Sequence, residues 1–225
     1  MKKLKGRHEL KHYINYADML QIRSRLPHVA SLDKNAIEGN GYRVRSLYFD
    51  NYSDKALREK NDGVDNREKF RLRYYNENTG YIGLEKKSKR NGICFKEKAK
   101  ITKQQCECLL NGDIEILKQI DNPLCMELYT KILYQQLRPK NIVEYWREPY
   151  VYPAGNVRVT LDYDIRTDLN PHNFLSPESI SIPITNAYIL EVKYDNYLPE
   201  IIRGMVSLSN RRSTSFSKYA IARII

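Results

Sequence analysis

The 225-residue sequence predicts an α+β fold in which about eight antiparallel strands close into a barrel, with helices packed outside. Three observations support this class. Charged and apolar residues alternate with the period-two pattern of strands in 67–75, 81–89, 157–165 and 187–195. Short turns separate most sequential strands, as antiparallel pairing requires. The polar faces are mainly cationic, and several such faces can line one shared polar interior.

The strands are predicted in order from this alternation and from the turn residues between them. They cover 7–14, 42–50, 67–75, 81–89, 93–101, 140–151, 157–166 and 187–195. Asn91-Gly92 is the signal of a tight hairpin, and the sequence Ala-Gly-Asn at 154–156 separates the two long strands of the second half. The Pro-containing stretch 168–186 lacks regular periodicity, so we predict a loop with at most one short strand.

The helices are predicted from helical spacing of apolar residues and from capping residues. They cover 16–26, 54–60, 102–111, two patches within 113–137, a segment near 199–205 and the last dozen residues. Pro27 ends the first helix, and Ser53 is the expected N-cap of the second. No repeat or linker divides the chain, so residues 1–225 are expected to form a single domain.

The composition describes a basic globular protein. Its formal net charge of +11 predicts affinity for phosphate-rich partners, which include nucleic acid, nucleotides, inorganic polyphosphate and anionic membranes. Cys94, Cys106, Cys108 and Cys125 lack zinc-site spacing and are expected to be reduced thiols of a cytoplasmic protein. The N-terminus has no signal-peptide core, and no apolar run approaches the roughly 18 residues of a membrane span.

The ionic strand faces supply the candidate site residues. A packed interior would bury many charges at a high cost unless each were paired, so a polyanion-binding interior is favoured. Arginine grips phosphate oxygens with a planar fork, and lysine supplies a mobile point charge. Two interpretations remain open for the carboxylates, because they can pair with neighbouring lysines or ligate a hard divalent cation. These carboxylates are Glu9, Glu85, Asp162 and Glu191.

A series of short motifs carries a resemblance to a known family. In order they are 7-RHELK-11, 46-SLYFD-50, 71-RLR-73, 85-EKK-87, 145-YWR-147, Arg158 with 161-LD-162, 190-LEVK-193 and 215-SFSKY-219. Together they resemble the VTC-type polyphosphate polymerase domain of the CYTH, or triphosphate tunnel metalloenzyme, superfamily. Arg7 replaces the first acid of the E-x-E-x-K strand that opens this superfamily, and Ser215 stands where polymerase relatives tend to carry a lysine.

The resemblance implies an antiparallel eight-stranded β-barrel tunnel in which ATP donates its γ-phosphate to a growing polyphosphate chain, with Mn²⁺ or Mg²⁺ required. It assigns Lys11, Arg71, Arg73 and Lys193 to the transferring phosphoryl group. It assigns Lys87, Arg147, Arg158 and Lys218 to substrate binding, with a further match on Lys96 or Lys98, of which we favour Lys98. We add Arg7 to the substrate-binding residues, because a cation at that position adds phosphate-binding charge. Glu191 is the leading metal ligand, with Glu9 and Glu85 as further candidates.

The leading hypothesis is therefore a metal-dependent polyphosphate polymerase whose partners are ATP and inorganic polyphosphate. The alternatives are a triphosphatase or nucleotide phosphohydrolase of the same fold, and a non-catalytic polyanion-binding module. Arg7 favours the polymerase, because a cation at that position lowers metal-binding charge and helps to hold a long polyanion. Nucleic acid is not the expected partner, because carboxylates on the same faces would repel an open phosphate backbone. The oligomeric state stays open.

Overall fold

The computed structural model describes residues 6–36, 41–176, 178–208 and 213–224. Its strands are β1 (His8–Ile14), β2 (Ser31–Leu32), β3 (Tyr42–Asp50), β4 (Arg67–Tyr75), β5 (Asn78–Arg90), β6 (Ile93–Ile101), β7 (Arg138–Tyr152), β8 (Val157–Asp168), β9 (Ile182–Thr185) and β10 (Tyr188–Tyr194). Its α-helices are α1 (Tyr16–Arg25), α2 (Lys55–Asn61), α3 (Lys103–Leu110), α4 (Pro123–Gln135), α5 (Glu200–Val206) and α6 (Lys218–Ile221).

The strands form one antiparallel sheet that curls back on itself. Eight of them follow the order β1-β10-β8-β7-β3-β4-β5-β6, while β2 pairs with β7 and β9 pairs with β8. The two edges of the curled sheet meet where Arg7 and Cys94 exchange backbone hydrogen bonds, with N···O distances of 3.0 and 3.2 Å. The predicted α+β class, with an eight-stranded antiparallel barrel and helices outside, is confirmed.

Apolar side chains on the outer face hold the helices against the barrel. Phe70, Leu72 and Tyr74 of β4 are buried in a cluster with α3 and α4, whereas Arg71 and Arg73 alternate with them and point to the inner face. A second cluster joins α1 and α5 to β8 and β10. Every helix in the described ranges falls short of the length and apolar character of a bilayer-spanning helix.

Aromatic side chains fill part of the inner face. Tyr219 of α6 stacks on Tyr48 of β3, with ring centroids 5.0 Å apart, and its hydroxyl donates to Asp50 at 2.7 Å. Phe216 packs edge-on against Tyr13, with centroids 4.9 Å apart. The segment that leads into α6 therefore enters the barrel and narrows its interior.

Two local predictions are wrong. Ser53 does not cap α2, because the N-cap is Asp54, and the helix amides of Ala56 and Leu57 donate instead to Asp50 at 2.9 and 3.1 Å. The last dozen residues do not form one helix. The chain before α6 is extended along β1, where the Thr214 amide donates to the Lys11 carbonyl at 2.8 Å, so the helix within 214–224 is limited to four residues.

Candidate active site

The inner face of the sheet carries a dense group of charged side chains whose positions follow from strand register. Lys11 lies opposite Glu191, and Glu9 lies opposite Lys193, on the β1–β10 ladder. Lys193 in turn lies opposite Arg158 on the β10–β8 ladder. Directly opposed residues point to the same face with their Cβ atoms about 5 Å apart. The sheet itself, rather than a loop, therefore positions these groups.

Glu9 and Glu191 form an acidic pair that shares its cations. Lys11 Nζ lies 2.9 Å from a Glu9 oxygen and 3.5 Å from a Glu191 oxygen. Lys193 Nζ lies 3.0 Å from Glu191 and 3.9 Å from Glu9. Lys87 Nζ adds a third contact to Glu9, at 2.6 Å. Two lysines that each contact both carboxylates hold the pair side by side.

The surrounding cations keep both carboxylates ionised. Burial and the nearby Glu191 raise the pKa of Glu9, but Lys87, Lys11 and Lys193 outweigh them and lower that pKa to about 2. Burial also raises the pKa of Glu191, yet Lys193 and Lys11 hold it well below its usual range. Both side chains therefore carry negative charge at neutral pH inside a largely buried site.

Arg147 connects this pair to Asp162. Its guanidinium donates to the two Asp162 oxygens at 2.6 and 2.7 Å and also to Glu191 at 3.2 Å. Lys218 of α6 approaches Asp162 to 2.6 Å, and its ammonium lies 4.5 Å from the centre of the Tyr145 ring. The terminal helix thereby adds a cation to the same interior.

Glu85 belongs to a second charged group, which is built on β4, β5 and β6. Its carboxylate accepts two hydrogen bonds from Arg71, at 2.9 and 2.7 Å, and lies 4.0 Å from Arg73. Lys96 contacts the other oxygen at 2.6 Å. Arg71 also donates to the Tyr48 hydroxyl at 3.1 Å. Glu85 thus orients Arg71, whereas the Arg73 guanidinium donates to the Ser46 and Tyr145 hydroxyls at 2.8 and 3.2 Å.

The structure brings most of the predicted site residues onto one inner surface. The first group holds Glu9, Lys11, Lys87, Arg147, Glu191, Lys193 and Lys218, and the second holds Arg71, Arg73 and Glu85. Three predicted cations have other partners. These partners are Asp195 for Arg7 (3.1 Å), Asp33 for Arg158 (2.9 Å) and the Tyr81 ring for Lys98 (4.5 Å to its centre).

The sequence-based assignment omitted two residues that the fold places in this interior. Lys69 lies on the same face of β4 as Arg71, and its ammonium is 5.6 Å from the centre of the Tyr48 ring. The alternation of side chains along β4 is enough to predict that Lys69 is an interior residue. Thr160 lies opposite Glu191 on β8, with a buried hydroxyl that has no hydrogen-bond partner among the described residues. Nothing in the sequence distinguishes this threonine from an ordinary strand residue.

The Glu9–Glu191 pair is suited to a divalent cation that arrives with a substrate. Within the described ranges, no group of three or more His, Cys, Asp or Glu side chains could hold a metal alone. Mg²⁺ and Mn²⁺ prefer oxygen ligands, and Mg²⁺ is commonly bound by one or two carboxylates plus substrate phosphates. Glu85, the third predicted ligand, lies apart from this pair in the second charged group, where Arg71 donates to it twice and Lys96 contacts its other oxygen. The donor set therefore fits a metal shared between protein and phosphate.

Comparisons with known proteins identify a family whose model matches this chain and solved structures that are similar to it. The family model of the VTC domain matches residues 6–224. The PH1012 protein of Pyrococcus horikoshii OT3 has a TM-score of 0.51 and 15% identity, covering 96% of this chain and 98% of that one. A Bacillus halodurans protein described as a candidate adenylate cyclase has a TM-score of 0.47 and 15% identity, covering 84% and 81% of the two chains.

A comparison with curated proteins finds no match. The similarity to PH1012 shows a shared fold. The family match spans nearly the whole sequence and agrees with the motifs on the inner strands, so the chain belongs to the VTC domain family.

Proposed function

We propose that this protein is a metal-dependent polyphosphate polymerase that transfers the γ-phosphate of ATP to a growing inorganic polyphosphate chain. The observation that carries the proposal is the excess of inward cations over the carboxylates that they contact. These cations are Lys11, Arg71, Arg73, Lys87, Lys96, Arg147, Lys193 and Lys218, and the carboxylates are Glu9, Glu85, Asp162 and Glu191. Membership of the VTC family supports a phosphate-related function.

Phosphoryl transfer asks a protein to align anions and to neutralise charge in the transition state. Arg71 and Arg73 stand two residues apart on one face of β4, so their guanidinium groups can contact neighbouring phosphate oxygens. Glu85 fixes the Arg71 guanidinium by two hydrogen bonds before substrate arrives. Preorganised donors of this kind avoid reorganisation during the reaction.

Glu9 and Glu191 would hold the metal, and their lysines would contact phosphate. A bound Mg²⁺ or Mn²⁺ would neutralise part of the charge on the nucleotide phosphates. Lys11 and Lys193 contact both carboxylates, and their flexible stems allow them to exchange a carboxylate oxygen for a phosphate oxygen. Arg147 and Lys218, fixed on Asp162, would guide the polyphosphate chain.

The test is an assay of the purified protein with ATP and either MgCl₂ or MnCl₂, in which product length is read on a gel and ADP and orthophosphate are measured. We expect a phosphate polymer that hot acid hydrolyses to orthophosphate, with a phosphate content that matches the ADP released, and no reaction after chelation of the metal. Equal amounts of ADP and orthophosphate without polymer would identify a phosphohydrolase. Retention of polyphosphate without turnover in either metal would identify a binding module.

A further inference from the structure

The strand β6 ends the curled sheet, and the described residues leave most of one of its edges open. On one side β6 pairs with β5 along its whole length. On the other side the described residues form one bridge, in which Cys94 and Arg7 exchange both backbone hydrogen bonds. Because this bridge is antiparallel, β1 continues towards the Asn91-Gly92 turn and away from residues 96–100. We call residues 96–100 of β6 the open edge.

The bridge also shows which backbone groups of the open edge face outwards. In an antiparallel ladder, alternate residues direct both the N–H and the C=O to the same side. Cys94 directs its groups towards Arg7, so Lys96, Lys98 and Lys100 also direct theirs away from β5. Among the residues that the structure describes, none forms a backbone hydrogen bond with these three lysines on that side. Unpaired edge groups of this kind are a template for a further strand.

The side chains of the same three lysines form an exposed row along the open edge. Lys96 Nζ lies 2.6 Å from a Glu85 oxygen. Lys98 and Lys100 lie beside the Tyr81 ring instead, with their ammonium groups 4.5 and 5.6 Å from its centre. Neither of these two lysines has a carboxylate partner in the described part of the chain. The open edge therefore presents a positive charge on every second residue.

This charge decides which kind of strand can pair with the open edge. If two copies of β6 paired antiparallel about a twofold axis, every register would set lysine opposite lysine, because even-numbered residues would always face even-numbered ones. Like charges directly opposite each other destabilise a ladder, and edge lysines commonly prevent self-pairing. An acidic strand in the same place would turn each repulsion into an attraction. Charge complementarity thus favours an acidic partner over a second copy of the chain.

We propose that the open edge is a docking site for an extended acidic segment of a partner protein, which joins the sheet as an antiparallel strand with aspartate or glutamate at every second position. Each acidic residue would lie directly opposite a lysine and exchange both backbone hydrogen bonds with it. The residues between them would lie on the outer face with Phe95 and Ala99, where β-branched side chains fit a pleated surface. Backbone pairing gives affinity in this recognition mode, and the alternating side chains give specificity.

The test is the binding of the synthetic peptide acetyl-TEVEVET-amide to the whole protein, measured by calorimetry at physiological salt without ATP or metal. Two methylated forms of equal charge separate strand addition from general attraction between charges. N-methylation of the glutamates removes the amides that would donate to β6, and we expect affinity to fall at least about tenfold. N-methylation of the valines alters amides that face away from β6, so this form should bind like the parent peptide.

The variant Lys98→Glu/Lys100→Glu reverses two charges of the open edge. We expect it to bind TEVEVET at least about tenfold more weakly than the wild type, and to bind the charge-reversed peptide TKVKVKT more tightly. The gain for the second peptide would show that the variant is folded. Lys118→Glu/Arg203→Glu changes the net charge equally at exposed sites outside the sheet, and it should bind both peptides like the wild type.

Equal losses for the two methylated peptides, or no loss for either, would overturn strand addition. A loss confined to the valine-methylated form would contradict the antiparallel pairing. Equal effects of the edge variant and the Lys118/Arg203 control would show that net charge, rather than the open edge, binds the peptide. A wild-type dimer that the peptide dissociates would identify a second copy as the occupant and would overturn the proposal. Because turnover is not measured, the outcome is independent of the proposed polymerase activity.

Discussion

Replacing Glu191 with Gln is expected to reduce ATP-dependent polyphosphate synthesis at least about 100-fold. The amide keeps the size of the side chain but removes the negative charge that would hold a divalent cation. The fold should persist, because every cation that contacts Glu191 has another carboxylate. Lys11 and Lys193 also contact Glu9, and Arg147 is bonded to Asp162.

The measurement is polymer formation per enzyme at saturating ATP and metal, together with thermal unfolding of the same preparation. Glu97→Gln is the matched control, because Glu97 is also a strand glutamate paired with a lysine, but it lies on the outer face beside Lys86. We expect the control to synthesise polymer like the wild type. Wild-type turnover in Glu191→Gln would refute the proposed metal ligand.

Replacing Arg147 with Met is expected to lower the free energy of unfolding by about 3–5 kcal/mol at neutral pH. Asp162 is completely buried and accepts two hydrogen bonds from Arg147, which also contacts Glu191. Without the guanidinium, Lys218 is the remaining cation on Asp162. The cost comes from buried negative charge that has lost its main partner.

The loss should depend on pH in a defined direction. Burial raises the pKa of Asp162, but Arg147 and Lys218 lower it overall, so in the wild type this carboxylate stabilises the fold above its unfolded pKa and loses that contribution in acid. In the Met variant Asp162 and Glu191 have lost the guanidinium that lowers their pKa, so they take up protons at a higher pH. The difference in unfolding free energy between variant and wild type should therefore narrow as pH falls from 7 to 4.

Urea denaturation at several pH values measures both effects. Arg203→Met is the control, because Arg203 also pairs with a glutamate, Glu200, but both side chains are largely exposed. Such a pair is worth about 1 kcal/mol or less. A loss below about 1 kcal/mol for Arg147→Met, or a loss that grows in acid, would contradict the assigned role.

Strand parity accounts for most of what could be predicted from the sequence. The side chains of a strand alternate between its two faces. The hydrophobic residues next to Lys11, Arg71 and Lys193 in the sequence pack on the outer face, so these three cations are predicted to point to the inner face. Parity does not say which charges meet. The contact between Lys11 and Glu191 depends on register between strands at opposite ends of the chain, which no local pattern encodes.

Positions near the barrel ends and on helices were harder to predict. Arg7 is two residues before Glu9, so alternation predicts that both point to the same face. Arg7 lies at the edge of the sheet, however, where it forms an ion pair with Asp195. Lys60 reaches the Ser215 hydroxyl at 3.4 Å because α2 packs beside the segment that precedes α6. That placement depends on tertiary packing, and a local helical pattern contains no information about it.

The pairing of β1 with β10 has a consequence for biosynthesis. Glu9 is synthesised well before Glu191, because Glu191 lies 182 positions further along the sequence. Contacts between such distant residues form late, because closing a long loop is entropically costly. A nascent chain therefore lacks the Glu9–Glu191 pair until β10 is released, and premature termination before that strand leaves a product without this pair.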